Sequence, residues 1–256
     1  MQRYSTRLRD FVLGGGSYKA ALTNAEIRIY SGAQPASADA APTGTLLAVI
    51  TGASASRIVE VPAVGTVTLA GAAGALDSLT IDGAAVLTGP VPFATDQATT
   101  AALVARRINE RLTATEYWAT AVGAVVSIHT LPGTGAALNG KVVAATGSGG
   151  LTATTANLAG GADGSGGLLW GAAANGVLDK LPAQVWSGLA TASGNAGWFR
   201  ICAGAADDGS ANPAHPLVFR VDGAIGVGTG ELPMAGSTWI TEGGQQTIGA
   251  APLTLA

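Results

Sequence analysis

Glycine interrupts this sequence at short intervals. It fills 38 of 256 positions, and the apolar runs between glycines are mostly four to eight residues long, the length of strands rather than helices. Many short runs closed by Gly or Pro predict an antiparallel sandwich or barrel. Ala25-Glu-Ile-Arg-Ile-Tyr30 shows the pattern well, with Ile27 and Ile29 on one face and Glu26, Arg28 and Tyr30 on the other. Further strands are expected at Thr45–Thr51, Leu168–Gly171, Gln184–Gly188, Gly197–Ala203, Leu217–Asp222, Ser237–Glu242 and Gln246–Leu255. Four of the five tryptophans, Trp170, Trp186, Trp198 and Trp239, fall in the later part, where large rings can anchor a core otherwise built from small side chains.

Two linker-like stretches, Gly52–Ser56 and Gly160–Gly167, bracket a segment with a different order of elements. Strands are expected at Arg57–Pro62, Gly65–Ala70 and Asp77–Asp82, followed by an amphipathic helix capped by Thr95 or Asp96, with Ala101, Val104, Ile108 and Leu112 at helical spacing. Strands at Tyr117–Val122, Ala124–Thr130 and Lys141–Thr146 complete it. The expected fold is therefore mainly β: a discontinuous antiparallel β-sandwich or jelly-roll-like host (25–56 and 164–256), a small inserted α+β domain (57–163) and an N-terminal arm (1–24).

Charge is scarce. Only 11% of residues are Asp, Glu, Lys or Arg, against about 25% in ordinary domains, and the net charge of −3 provides no basic surface for nucleic acid or anionic lipid. No apolar run reaches the roughly 20 residues of a membrane helix, and Phe11–Leu13 is too short for the core of a signal peptide, so synthesis without export is expected. The single cysteine, Cys202, excludes an intrachain disulfide and reads as a buried thiol.

The same composition leaves little chemistry. His129 lies on the polar face of its strand and His215 in the loop Asn212-Pro-Ala-His-Pro216, with no Gly-x-Ser-x-Gly elbow to support a hydrolase. Asp207-Asp208-Gly209-Ser210 offers too few oxygens for calcium and reads as a polar turn. Gly226-Val-Gly-Thr-Gly230 is not followed by a helix that could cradle phosphate, and Arg106, Arg107 and Arg111 read as a solvated helix face. The expectation is a non-enzymatic protein with no catalytic residue, cofactor or metal.

Tyr4-Ser-Thr-Arg-Leu-Arg-Asp-Phe11 and the stretch Ala25–Ala48, with Tyr30-Ser-Gly-Ala-Gln-Pro-Ala-Ser-Ala-Asp-Ala-Ala41 as its most specific part, resemble the N-terminal portion of a group of uncharacterised structural proteins of tailed bacteriophages. Val185–Arg200 and Val221–Gly226 continue the likeness. The middle segment resembles a module of phage tail proteins: Ile81-Asp-Gly83, the helix, Tyr117–Val122, Ala124–Thr130 and a Gly133–Gly140 turn. These resemblances imply a virion protein made in the host bacterial cytoplasm, with copies of itself and other virion proteins as partners and no direct contact with nucleic acid. They imply a place in the tail or at the head-to-tail neck, with capsid decoration as the competitor. A receptor- or carbohydrate-binding module is the alternative of another class, with Trp118 and Trp239 as candidate stacking residues and a host-surface glycan as ligand. Tyr4, Phe11, Tyr30 and Pro35, in the arm, the strand and the Gln34–Thr43 loop, are the candidate assembly contacts.

Overall fold

The computed structural model describes residues 1–14, 16–213, 215 and 217–254. Gly15 of the expected arm and Leu255 of the expected last strand lie outside the described residues. The fold is mainly β with several antiparallel sheets. The chain divides into two compact units, Met1–Val59 with Gly164–Ala256, and Glu60–Asp163.

In chain order, the first unit opens with β1 (Arg3–Tyr4), α1 (Thr6–Leu13), α2 (Tyr18–Leu22), β2 (Glu26–Ser31) and β3 (Leu46–Gly52). The second unit contains β4 (Val64–Ala70), β5 (Ala75–Ile81), β6 (Ala84–Ala85), β7 (Val91–Pro92), α3 (Gln97–Asn109), α4 (Leu112–Thr115), β8 (Tyr117–Val122), β9 (Val125–Thr130), β10 (Val143–Ser148) and β11 (Thr152–Ala159). The first unit resumes with β12 (Val177–Leu178), β13 (Trp186–Leu189), β14 (Gly194–Gly204), β15 (Val218–Val227), β16 (Leu232–Met234), β17 (Trp239–Ile240), β18 (Gln245–Ile248) and β19 (Leu253–Thr254).

The first unit is organised by a long ladder in the order β1-β15-β14-β2-β3-β13-β18. Its two halves of sequence interleave, since β2 and β3 insert between β14 and β13. Close approach at one joint demands glycine: a Cβ on Gly188 of β13 would lie 1.9 Å from the carbonyl oxygen of Val49. The expected arm, residues 1–24, holds α1 and α2. Ser5 and Ser17 cap α1 and α2 by accepting from the amides of Leu8 and Ala20, and Leu8, Phe11, Ala21 and Leu22 are buried within the unit. Phe11 packs on Phe219 of β15 with ring centroids 5.0 Å apart.

The second unit places α3 against a four-stranded sheet ordered β11-β4-β9-β8, beside a second sheet ordered β10-β5-β6. Asp96 caps α3, its Oδ1 accepting from the Thr99 amide at 2.7 Å. The buried side of the helix, Ala101, Val104, Ala105 and Ile108, joins Val67, Leu69, Leu79, Val126 and Ile128 in one core. The expected strand at Arg57–Pro62 is only two isolated bridges, Ile58 with Ser165 and Val61 with Ala162. The expected strand at Leu168–Gly171 is likewise reduced to bridges, and Gln246–Leu255 is broken into β18 and β19 around Pro252. Conversely β11, an eight-residue strand rich in Thr and Ala, was not expected.

Candidate functional site

The most concentrated chemistry lies on one face of the long ladder. Side chains alternate across a strand, so Glu26, Arg28 and Tyr30 of β2 share a face with Trp198, Arg200 and Cys202 of β14 and with Arg220 and Asp222 of β15. Register aligns them in rows: Arg28, Arg200 and Asp222 in one, Glu26, Cys202 and Arg220 in the next. The apolar alternates, Ile27, Ile29, Phe199, Ile201, Phe219 and Val221, are buried on the opposite face.

Arg200 and Asp222 form a two-pronged pair, Nε to Oδ1 at 2.7 Å and Nη2 to Oδ2 at 2.8 Å, with both side chains at most 1% exposed. Arg220 makes the matching pair with Asp207, Nε to Oδ2 at 2.7 Å and Nη2 to Oδ1. The remaining guanidinium donors reach irregular backbone. Arg200 donates to the Ala40 carbonyl at 3.0 Å, Arg220 to that of Ser210 at 2.9 Å, and Arg28, itself paired with Glu26, to that of Asp207 at 3.0 Å. Trp198 stacks on Tyr30 with centroids 4.5 Å apart and donates from its indole to the Thr43 carbonyl. A guanidinium has five donors in a fixed fork, and here those forks fasten the two loops, 32–45 and 205–213, over the charged face.

The electrostatics follow from burial and pairing. Burial opposes ionisation of Asp207, but Arg220 and the Gly209 amide outweigh it and hold the carboxyl at about 2. Asp222 is raised, because burial outweighs Arg200 there. Burial pushes the Cys202 thiol far above its usual range, which removes it as a nucleophile at neutral pH. The face therefore holds two buried ion pairs whose guanidinium groups also bond backbone carbonyls of the chain itself. Its arrangement fits a structural clamp.

The candidate contacts distribute unevenly. Phe11, Tyr30 and Pro35 are buried in their own chain, Phe11 against Phe219 and Tyr30 against Trp198. Tyr4 is half-buried, its ring edge-on to Tyr18 at 6.1 Å and its hydroxyl bonded to Gln2. Trp118 stacks on His129 at 4.1 Å as a cross-strand pair of β8 and β9. Trp239 is 56% exposed and lies opposite Asn195, which accepts from the Thr238 hydroxyl at 3.4 Å.

Other candidates also have local roles. Asp208 accepts from the Ser210 amide at 2.9 Å, closing the turn expected there. His215 accepts from the Leu217 amide at Nδ1, and burial lowers its pKa. Among the described residues no group of three or more His, Cys, Asp or Glu side chains could hold a metal ion, and no helix is long and apolar enough to cross a membrane. An apolar cavity of about 240 Å³ lies between Tyr18, Val177, Leu178 and Leu253, with no carboxylate or histidine in its lining.

Sequence reasoning missed the clamp. Its one available signal was charge inside strands otherwise apolar on both sides, Arg200 in Trp198-Phe-Arg-Ile-Cys202 and Arg220 with Asp222 in Val218-Phe-Arg-Val-Asp222. Comparisons with protein-family models, characterised proteins and solved structures found no match.

Proposed function

We propose that this chain is a non-enzymatic structural subunit of a tailed-bacteriophage virion, built into the tail or the head-to-tail neck through contacts with its own copies and other virion proteins. One observation carries the reading. The segments that resemble phage structural proteins, Ala25–Ala48, Val185–Arg200 and Val221–Gly226, are far apart in sequence yet supply five adjoining strands of one ladder, in the order β15-β14-β2-β3-β13. A resemblance spread over hydrogen-bonded neighbours and the loop clamped to them is expected of a shared fold and is not expected of chance matches in a low-complexity chain.

The buried ion pairs of the charged face support a scaffold over a catalyst. Subunits repeated in a ring or shell gain rigidity from many equal interfaces, which suits a turn-rich chain. Within this reading the protein is made in the host cytoplasm and resides in the particle. Capsid decoration is the nearest competitor. The receptor-binding alternative retains one favourable feature, exposed Trp239 beside the polar groups of Asn195 and Thr238, a setting in which a sugar ring could stack.

Silencing production of the protein during infection tests the proposal. Tail-less heads, unjoined heads and tails, or particles with defective tails are expected, with rescue by the protein supplied separately. Normal particles of full infectivity would refute it.

A further inference from the structure

The ends of β-sheets expose unpaired N–H and C=O groups, and stable proteins blunt them with charge, short strands or side-chain plugs. This chain does so at two places. At β8 the outward amide and carbonyl of Ala119 are both bonded to the side chain of Asn109, at 2.7 and 2.9 Å. At one end of the long ladder, β1 is only two residues and carries Arg3. The other end, β18, has neither device.

The direction of its hydrogen-bonding groups can be worked out. Ala190 donates to the Gly244 carbonyl and accepts from the Gly243 amide, and Gly243 has φ +74°. That is a glycine bulge, and it sets the alternation beyond it: Gln246 and Ile248 face β13, opposite Gly188 and Trp186. Gln245, Thr247 and Gly249 then turn their backbone groups outward. All three are exposed, and among the described residues β18 pairs with β13 alone. From Gly243 to Pro252 the sequence contains no charged residue.

We infer that β18 is a self-association edge and that its occupant is β18 of a second copy, antiparallel, with Thr247 at the two-fold axis. In that register the outward residues meet outward residues: Thr247 faces Thr247 of the second copy, and Gln245 faces Gly249 at each end. About six main-chain hydrogen bonds would join the chains. An uncharged edge can face itself in this way because no like charges are brought together. A ladder this short buries less than the roughly 1,200 Å² of a stable interface, so association is weak in free solution and strong only where many contacts act together.

The inference rests on the reading of the protein as an assembling subunit, and it is tested on purified full-length protein. Sedimentation velocity across a concentration series should show reversible dimerisation by the parent. Thr247→Pro removes the central outward N–H at an edge position where proline is tolerated, and Thr247→Lys sets two charges across the axis; both should abolish the dimer while leaving the thermal midpoint within a few degrees. Thr247→Cys should cross-link through a short thiol-reactive bridge, since the other cysteine, Cys202, is buried. A parent that stays monomeric at every concentration, or variants that dimerise like the parent, would overturn the inference. A monomeric protein still present in particles would sink β18 pairing and spare the virion reading; a dimer absent from particles would do the reverse.

Discussion

Replacing Asp222 by Ala should remove a large share of the first unit's stability. The carboxylate takes two bonds from Arg200, at 2.7 and 2.8 Å, and both side chains are sealed from water. Without it the guanidinium keeps one carbonyl, that of Ala40, and the ring of Trp198 at 5.4 Å. Neither supplies a full counter-charge. Leaving one member of a buried pair uncompensated costs about 3–5 kcal/mol. For a unit of roughly 150 residues, each kcal/mol is worth about 2–4 °C in thermal midpoint, so a fall on the order of 10 °C is expected. Urea unfolding followed by tryptophan fluorescence is a suitable assay, because Trp170, Trp186, Trp198 and Trp239 all report on this unit and Trp118 alone on the other. A paired Arg200→Met/Asp222→Leu variant separates charge from packing, since replacing a whole buried pair by apolar side chains is often neutral or stabilising. A cost below about 1 kcal/mol for Asp222→Ala, the scale of an exposed pair, would refute the clamp.

Asp207 contributes a pH signature. Its carboxyl is held at about 2 in the folded chain against an ordinary value of about 3.9, so its stabilisation is complete above pH 4 and is lost as pH falls toward 2. Asp222, raised by burial, acts with the opposite sign, so the Asp207 share is read as the difference in midpoint between the parent and Asp207→Asn from pH 5 to 2; parallel curves would contradict it. Glu60→Gln should destabilise the second unit by about 1–3 kcal/mol, because the carboxylate accepts from the amides of Gly133, Thr134 and Gly135 at 2.7–3.0 Å. Hydrogen exchange of those three amides should accelerate, and unchanged protection would count against the clasp. Gly188→Ala should cost at least the upper part of the ~1–3 kcal/mol range for overpacking, since its methyl would overlap the Val49 carbonyl; an unaltered midpoint would show the β3–β13 joint to be looser than described.

The elements legible in the sequence were those whose pattern is local. Asp96 and the 3–4 spacing of Ala101, Val104 and Ile108 specify α3 within one stretch of chain, and the alternation around Ile27 and Ile29 specifies β2. β11 was hidden because Thr152–Ala159 lacks apolar alternation: it is held by its pairing with β4, which no window of its own sequence contains. The packing of the arm was hidden because the Phe11–Phe219 contact joins residues far apart in sequence, which no local pattern records. The charged face was illegible for a related reason. Arg200 and Asp222 lie 22 residues apart, and only the register of β14 with β15 turns two apparent surface charges into a buried pair. The scarcity of charge in the composition thus understates its role, because part of that small complement fastens irregular backbone at Ala40, Asp207 and Ser210.

Reconstruction of purified particles by electron cryomicroscopy tests the central claim most directly. Density matching both compact units is expected, repeated about the tail axis in a multiple of three, six or twelve copies at the tail or neck. Particles complete in that region with no such density would contradict it.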